Sequence, residues 1–187
     1  MISGSSSIFI VSDSHGNVPA LTAALDWARQ AQLAQNETFS AAIFLGDGVD
    51  DLPLASSQAG FSVPWYKVRG NGDMDFSVPA SLVLEISGRK IYFAHGNRHD
   101  VNEGGRAITA AAKAAGAEAA VFGHTHIPHC SLLDGFFLLN PGSIGRSRSN
   151  VGPTFAVLDC PDSGPLRARF FRLERKEGKV AVQEIQV

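Results

Sequence analysis

Side chains that can bind metal ions follow five short apolar segments of this 187-residue sequence. The first segment ends in VSDSHGN, where Asp13 and His15 stand two positions apart, and the last ends in GHTH. Carboxylate oxygen, amide oxygen and imidazole nitrogen together suit manganese, iron, zinc or nickel, and the lack of cysteine among them argues against a structural zinc site. The candidate ligands are Asp13, His15, Asp47, Asn71, His95, His124 and His126.

Each of these motifs also has a purely structural interpretation. DSH and GDG occur as turns or helix caps, GNGD as a hairpin turn, and a histidine at the end of a strand, such as His95, as a hydrogen-bonded structural residue. GHTH is the most specific motif, because two imidazoles one residue apart in a glycine loop can hardly both be buried for structural reasons. A single metal site explains the ordered set better than five separate coincidences do.

The elements that would position these side chains alternate between strand and helix before the chain turns to strands only. The leucine spacing in residues 18–34 and the alanine-rich residues 107–115, which stop at Gly116, predict two helices. SLVLEISGRKIYFAHG predicts a hairpin with its turn at residues 87–89, and HCSLLDG begins a final series of strands separated by Gly, Pro and Asp turns. Short buried strands are predicted at residues 8–11, 41–45 and 66–68, and in AEAAVF before GHTH.

This order predicts one α/β domain over residues 1–187, a layered sandwich of largely parallel strands with an antiparallel set. Ligands in such sheets collect where loops leave the carboxyl ends of the strands. We therefore expect all the candidate metal ligands to meet at one edge.

Composition excludes several classes of partner. The chain is 44% hydrophobic with a formal net charge of -2, and it has no basic stripe with interleaved aromatic residues, so we expect neither nucleic acid nor membrane as a partner. MISGSSS lacks the features of a signal peptide, and the two cysteines, Cys130 and Cys160, form no disulfide framework. These features favour a cytoplasmic location.

The ordered motifs DSH, GDG, GNGD, HG and GHTH, followed by NPGS, resemble those of the calcineurin-like metallophosphoesterases, and most of all their small bacterial phosphodiesterase branch. The motifs run from Asp13 to Ser143. The resemblance implies a layered α/β/β/α sandwich of two mixed sheets flanked by helices, with the final strands in the second sheet.

The resemblance also implies a centre of two divalent transition-metal ions, with manganese as the first choice. Asp13, His15 and His126 would bind one ion, and Asn71, His95 and His124 the other. Asp47 would bridge the two ions, and a hydroxide held between them would attack the phosphorus atom. Asp47, Asn71 and Asp73 would form the catalytic set.

The chain departs from the family pattern at Gly72, where many relatives carry a histidine that assists the leaving group. Without that general acid, a poor alkoxide leaving group loses about two to four orders of magnitude in rate, whereas a phenolate hardly needs it. Asp73 is a candidate to orient a ligand or to replace the missing acid, and His99 and His129 are further candidates for the vacant role.

NPGSIGRSRS supplies three candidate substrate contacts besides Asn71. Asn140 and Arg146 would bind the phosphate, and Arg148 could pair with it. Arg146 and Arg148 could equally be solvated surface residues. For Arg69 the same two interpretations apply, a phosphate contact or a solvated surface residue.

These features favour a phosphodiesterase acting on a small-molecule phosphoester. A phosphomonoesterase or nucleotide pyrophosphatase is the alternative within enzymes, and Gly72 argues against unactivated monoesters. A scaffold with a vestigial metal site is the alternative outside enzymes, since a eukaryotic sorting-complex subunit uses this fold in that way. Exposed strands of the second sheet could support a homodimer.

Overall fold

The computed structural model describes residues 6–176 and 179–187. In these residues the chain forms three α-helices, α1 Val18–Leu33, α2 Leu52–Ala59 and α3 Arg106–Ala114. The strands are β1 Ser6–Val11, β2 Phe39–Phe44, β3 Trp65–Lys67, β4 Ser81–Ile86, β5 Arg89–Ala94, β6 Ala119–Phe122, β7 Pro128–Leu133, β8 Phe136–Pro141, β9 Thr154–Cys160, β10 Arg167–Lys176 and β11 Lys179–Ile185.

The strands form two mixed sheets. The first has the spatial order β11-β10-β9-β1-β2-β3, in which β1, β2 and β3 run parallel and the other three strands are antiparallel additions. The second has the order β4-β5-β6-β8-β7, with β5, β6 and β8 parallel and the two edge strands antiparallel. Each sheet therefore contains three parallel strands whose carboxyl ends lie side by side. The candidate ligands follow the ends of these strands.

Three apolar layers hold the sheets and helices together. Alternate residues of a strand point to opposite faces, so Phe9 packs under α1 and α2 while Ile10 packs between the two sheets. Ile108 of α3 covers the outer face of the second sheet. All three side chains are fully buried, and such burial stabilises the fold by about 1.5–3 kcal/mol for each side chain.

Local sequence explains where several elements begin and end. The Asn17 side chain accepts a hydrogen bond from the Ala20 backbone N–H and so caps α1, which carries Pro19 in its first turn. Ser87 and Gly88 have φ angles of 50° and 75°, and this pair of left-handed residues closes the β4–β5 hairpin.

The α/β/β/α order confirms the predicted fold class, and two local expectations are corrected. The strands β9, β10 and β11 belong to the first sheet and not the second, because β9 pairs antiparallel with β1. The helix α2 was not predicted, because its eight residues give too short a periodic pattern. No helix in residues 6–176 and 179–187 has the length and apolar character needed to span a bilayer.

Candidate metal centre

The first group of converging donor atoms belongs to Asp13, His15 and His126. Asp13 and His15 lie in the loop after β1, and His126 lies in the loop after β6. Asp13 Oδ1 is 3.1 Å from His126 Nε2 and 3.6 Å from His15 Nε2, and the two Nε2 atoms are 3.1 Å apart. One cation can be held between atoms at this spacing.

A second group adjoins the first and includes Asp47, His95 and His124. Asp47 Oδ2 is 3.5 Å from His95 Nε2, which is 3.2 Å from His124 Nδ1. Asp47 Oδ2 is also 3.8 Å from His15 Nε2, so this oxygen lies between the two groups. Asp13 Oδ1 is 3.9 Å from His95 Nε2, which makes the two groups one continuous cluster.

Asn71 lies on an exposed loop whose two glycines, Gly70 and Gly72, approach Asp47. Its neighbour Gly72 donates a backbone hydrogen bond of 2.7 Å to Asp47 Oδ1. A Cβ atom at Gly70 would stand 2.1 Å from that same oxygen, so only glycine allows the loop to come this close to the carboxylate.

Backbone carbonyls fix the orientation of two of the imidazoles. His95 Nδ1 is 2.7 Å from the Leu45 carbonyl oxygen, and His126 Nδ1 is 2.6 Å from the Arg146 carbonyl oxygen. A carbonyl oxygen can only accept, so Nδ1 of each ring donates the bond, and Nε2 is the nitrogen that faces the cluster.

The Asp13 carboxylate shows why the cluster suits a cation. Its Oδ2 accepts hydrogen bonds from Ser12 Oγ at 2.5 Å and from the His124 backbone N–H at 3.1 Å. Its Oδ1 is buried and has no hydrogen-bond partner among the residues that the structure describes. A buried carboxylate oxygen without a partner is costly unless a cation satisfies it.

The pKa values in the cluster favour ionised carboxylates. Burial raises the pKa of Asp13, but the neighbouring His126 and His15 imidazoles outweigh burial and hold the pKa well below its usual value. Burial likewise raises the pKa of Asp47, and the contact with His95 brings it below the ordinary value. Burial lowers the pKa of His95, but the neighbouring Asp47 and Asp13 carboxylates outweigh burial and raise it.

Among the described residues, only histidines form ion-pair contacts with the two carboxylates of the cluster. In residues 6–176 and 179–187, neither lysine nor arginine forms an ion pair with Asp13 or Asp47. Two buried anions, one unpartnered oxygen and convergent imidazole nitrogens together fit divalent transition-metal ions, which prefer this donor set.

Five of the seven candidate ligands adopt a left-handed backbone conformation. This conformation costs a residue other than glycine about 1–3 kcal/mol and persists only where the surrounding structure enforces it. Here it turns the chain sharply after β1, β2 and β6, so that consecutive polar side chains can face one point. The φ angles are 56° at Asp13, 46° at His15, 56° at Asp47, 68° at His124 and 62° at His126.

Asp73 lies behind the cluster and holds two loops together. Its Oδ2 accepts hydrogen bonds from the backbone N–H groups of Asp47 and Gly70, each at 2.8 Å. Its Oδ1 accepts from those of Gly48 at 2.8 Å and Val49 at 2.9 Å. With four such bonds, Asp73 positions Asp47, and its oxygens are not directed at a reacting group.

The structure gives Asn140 a bracing role, and the phosphate contact expected of Arg146 stays a prediction. Asn140 is fully buried. Its Nδ2 donates to the Gly123 carbonyl oxygen at 2.7 Å and to Thr125 Oγ1 at 3.0 Å, so it braces the GHTH loop and does not reach a substrate. The Arg146 carbonyl oxygen orients His126, and the Arg146 side chain is exposed.

The two histidines considered for the vacant acid role have other partners. His99 Nε2 is 3.2 Å from the Tyr92 hydroxyl, and Tyr92 belongs to the apolar layer on the outer face of the second sheet. His129 Nε2 is 2.8 Å from Ser131 Oγ on β7. Both contacts favour structural roles for these histidines. Gly72 itself provides no side chain beside Asp47 that could act as the acid.

Sequence reasoning missed three side chains that support the ligands. Asp51 Oδ2 accepts hydrogen bonds from Ser14 Oγ at 2.5 Å and from the Gly16 N–H at 2.8 Å, which holds the loop of Asp13 and His15. Ser143 Oγ donates to the Asp13 carbonyl oxygen at 2.8 Å, and Ser12 holds Asp13 Oδ2. The position of Ser12 next to Asp13 could have indicated its supporting role from the sequence. The roles of Asp51 and Ser143 depend on contacts between distant loops.

Known proteins resemble this chain in sequence and in fold. It is 33% identical over 95 residues to the probable metallophosphoesterase YsnB of Bacillus subtilis (strain 168), a match that spans 51% of this chain and 56% of that relative. The chain thus spans little more than half of the relative's length.

Three solved structures share the fold. A conserved uncharacterized protein from Streptococcus pneumoniae TIGR4, described as a predicted phosphoesterase, has a TM-score of 0.71 at 24% identity and covers 97% of this chain and 99% of its own. Vps29 from Chaetomium thermophilum has a TM-score of 0.71 at 21% identity over 96% and 97% of the two chains. A novel archaeal phosphodiesterase has a TM-score of 0.64 at 21% identity over 87% and 98%.

The family model of the calcineurin-like phosphoesterase superfamily domain matches residues 7–163, which include every candidate ligand. The converging aspartates and histidines at the strand ends agree with this match. The chain belongs to the calcineurin-like phosphoesterase superfamily.

Proposed function

We propose that this protein is a metal-dependent phosphodiesterase with a centre of two metal ions. The observation that carries the proposal is the unpartnered, buried Asp13 Oδ1, which together with Asp47 Oδ2 faces the Nε2 atoms of neighbouring imidazoles. Such a donor set is suited to divalent cations and has no evident purpose without them.

The proposed ligands divide into two sets that share one carboxylate. Asp47 is the shared ligand because its Oδ2 lies within 4 Å of a histidine from each set. Bound divalent ions would supply Lewis-acid charge for the phosphoryl oxygens and would lower the pKa of a coordinated water molecule. The sets are Asp13, His15 and His126 for one ion and Asn71, His95 and His124 for the other.

The charge of the surrounding protein favours a diester over a monoester. A phosphodiester carries one negative charge, whereas a monoester carries up to two at neutral pH and gains more from an added cationic side chain. Among the described residues, no arginine or lysine forms an ion pair with Asp13 or Asp47, and the side chains of Arg146 and Arg148 are exposed. This arrangement suits a singly charged phosphate.

The residues at the leaving-group side favour an acidic leaving group. Gly72 supplies no side chain, and His99 and His129 form hydrogen bonds elsewhere. General acid catalysis contributes about 10²–10⁴-fold to expulsion of a poor leaving group. We therefore expect aryl phosphodiesters to be hydrolysed much faster than dialkyl phosphodiesters.

We infer that manganese is the ion bound in the cell, with iron, zinc and nickel as alternatives. The proposed ligands are oxygen and nitrogen atoms with no thiolate among them, a set that suits manganese at least as well as zinc. Metal analysis of protein purified without chelator would identify the ion and its stoichiometry.

The test of the proposed function compares Asp47→Asn with Asp50→Asn. Both variants make the same chemical change in one loop, but Asp50 is exposed whereas Asp47 lies in the cluster. With manganese and bis(4-nitrophenyl) phosphate, we expect Asp47→Asn to abolish hydrolysis and Asp50→Asn to retain it. A wild-type protein that binds no metal and stays inactive with added manganese would refute the proposal and favour the scaffold alternative.

A homodimer is a further proposal that rests on the edges of the second sheet. The edge strands β4 and β7 expose Val83 (38%) and Leu132 (69%). Exposed apolar side chains on an unpaired edge favour association of two sheets. Light scattering of the wild type and of Leu132→Lys would test this, and a monomeric wild type would exclude it.

A further inference from the structure

The loop that carries Asn71 exposes two large apolar side chains. Met74 is 76% exposed and Phe76 is 71% exposed, and they follow the candidate ligand by three and five residues. Side chains of this size are normally buried, and their exposure beside a polar cluster indicates a contact surface.

The loop is held rigidly, so its apolar side chains are not exposed through local unfolding. Asp73 anchors its start with four backbone hydrogen bonds. Asp75 Oδ1 accepts from the Ser77 N–H at 2.9 Å and from Ser77 Oγ at 2.6 Å. Val78 at its end is 6% exposed and packs into the layer under the helices. A rigid aromatic side chain binds a ligand with little loss of conformational entropy.

Arg69 gives the Phe76 ring a cationic backing. The Arg69 guanidinium carbon lies 4.4 Å from the centre of the ring, which is a cation–π contact. The guanidinium thus occupies one face of the ring, while the Phe76 side chain as a whole stays largely exposed. Arg69 also adds positive charge next to the loop of Asn71.

Gly72 is exposed and places no side chain beside Asp47. A Cβ atom at Gly72 would be 3.2 Å from Asp47 Oδ1, so a group above Gly72 lies next to the proposed shared ligand. Phe76 is four residues further on, and four residues span at most about 14 Å. The contact with Arg69 holds the Phe76 ring against the residue that precedes Gly70 at the start of this loop.

We propose that Phe76, backed by Arg69, is the surface on which an aromatic group esterified to the substrate phosphate stacks. This inference rests on the proposed function and adds a substrate class to it: phosphodiesters with an aryl or nucleobase-bearing arm. An aromatic arm fits because it can stack on the open part of the ring while its phosphate, only a few bonds away, lies at the cluster. A purely alkyl arm gains no stacking.

The test measures binding as well as turnover. Calorimetry on the manganese-loaded protein would compare methyl phenyl phosphate with dimethyl phosphate, which differ by one aromatic ring. We expect the wild type to prefer the phenyl compound by about 5- to 50-fold, in line with base–aromatic stacking. Phe76→Ala should lower this preference at least fivefold, and Phe76→Tyr should restore it.

Turnover of bis(4-nitrophenyl) phosphate provides the second measurement. Phe76→Ala should raise KM by a similar factor with kcat within about twofold, because a lost binding contact that is equal in the ground and transition states acts on KM. Leu33→Ala is the matched control, since Leu33 is a large apolar side chain that is 66% exposed at the end of α1. It should leave both the preference and KM unchanged.

The outcomes separate this inference from the proposed function. If the wild type hydrolyses the diester but Phe76→Ala keeps the phenyl preference, the stacking surface is refuted and the proposed function stands. If the wild type shows a preference that depends on Phe76 without hydrolysis, the proposed function is refuted and the stacking surface stands. If Phe76→Ala converts a dimer to a monomer in sedimentation, the ring is an interface between chains and the inference is overturned.

Discussion

Replacing Asp73 with asparagine would test whether four backbone hydrogen bonds hold the cluster in place. Asparagine has nearly the same shape, but only its Oδ1 can accept hydrogen bonds, and its Nδ2 would face two N–H donors. In either orientation of the amide, two of the four backbone N–H groups of Asp47, Gly48, Val49 and Gly70 lose their acceptor.

The magnitude follows from the number of lost acceptors. A buried donor without a partner costs about 1–3 kcal/mol, so two would cost about 2–6 kcal/mol. Asp73 is partly exposed, and water can satisfy part of the deficit, so we expect the free energy of unfolding to fall by about 2–4 kcal/mol. At about 2–4 °C per kcal/mol for a chain of this size, Tm would fall by about 4–16 °C.

The assay is urea unfolding of the metal-free protein, combined with the pH profile of hydrolysis by the metal-loaded protein. Asp75→Asn is the matched control two residues away, because Asp75 is exposed and accepts only from Ser77. It should change the free energy of unfolding by less than about 1 kcal/mol. An Asp73→Asn variant of wild-type stability that loses one limb of the pH profile would refute the positioning role and make Asp73 a proton donor.

Three further predictions concern the loops around the cluster. Gly72→His should speed hydrolysis of dialkyl phosphodiesters by up to about 100-fold and change hydrolysis of aryl diesters little, because only a poor leaving group needs a general acid. The side chain fits after a small shift, since a Cβ atom at this position meets Asp47 Oδ1 at 3.2 Å. Equal effects on both substrates would contradict a general acid role. Asn140→Ala should lower the free energy of unfolding by about 2–4 kcal/mol, since the Gly123 carbonyl and the Gly142 N–H both lose a buried partner, and urea unfolding without loss of stability would count against the bracing role. Manganese at 100 times its Kd should stabilise the wild type by about 2.7 kcal/mol for each ion bound, or about 5–11 °C in Tm, and this gain should be smaller in Asp47→Asn. Calorimetric scans with an equal gain in the variant would remove Asp47 as a shared ligand.

The positions of the candidate ligands were predictable because they follow a rule of parallel sheets. Side chains after β1, β2 and β6 meet at one edge whatever the details of packing, and Asp13, Asp47 and His126 obey this rule. The periodic pattern of α1 and the turn residues of the β4–β5 hairpin were equally readable, since both act locally.

What sequence could not predict depends on contacts between distant segments. The strand β9 could pair with either sheet on its own pattern, and only its register against β1 assigns it to the first. The residue types of Asp73 and Asn140 suggested chemistry, but the direction of their side chains follows from which loops pack behind them. The outward position of His99 likewise depends on Tyr92, which the alternation of β5 directs away from the cluster.

The left-handed backbone conformation at the candidate ligands lowers the folding stability of the chain at the positions that metal binding requires. Glycine adopts such angles almost without strain, so replacing Asp13 or His124 by glycine would relieve part of the backbone energy in the metal-free chain and delete a ligand. A library of variants selected for thermal stability alone would therefore accumulate glycine at these positions and lose metal binding. Aspartate and histidine at these strained positions of the chain thus favour metal binding over folding stability.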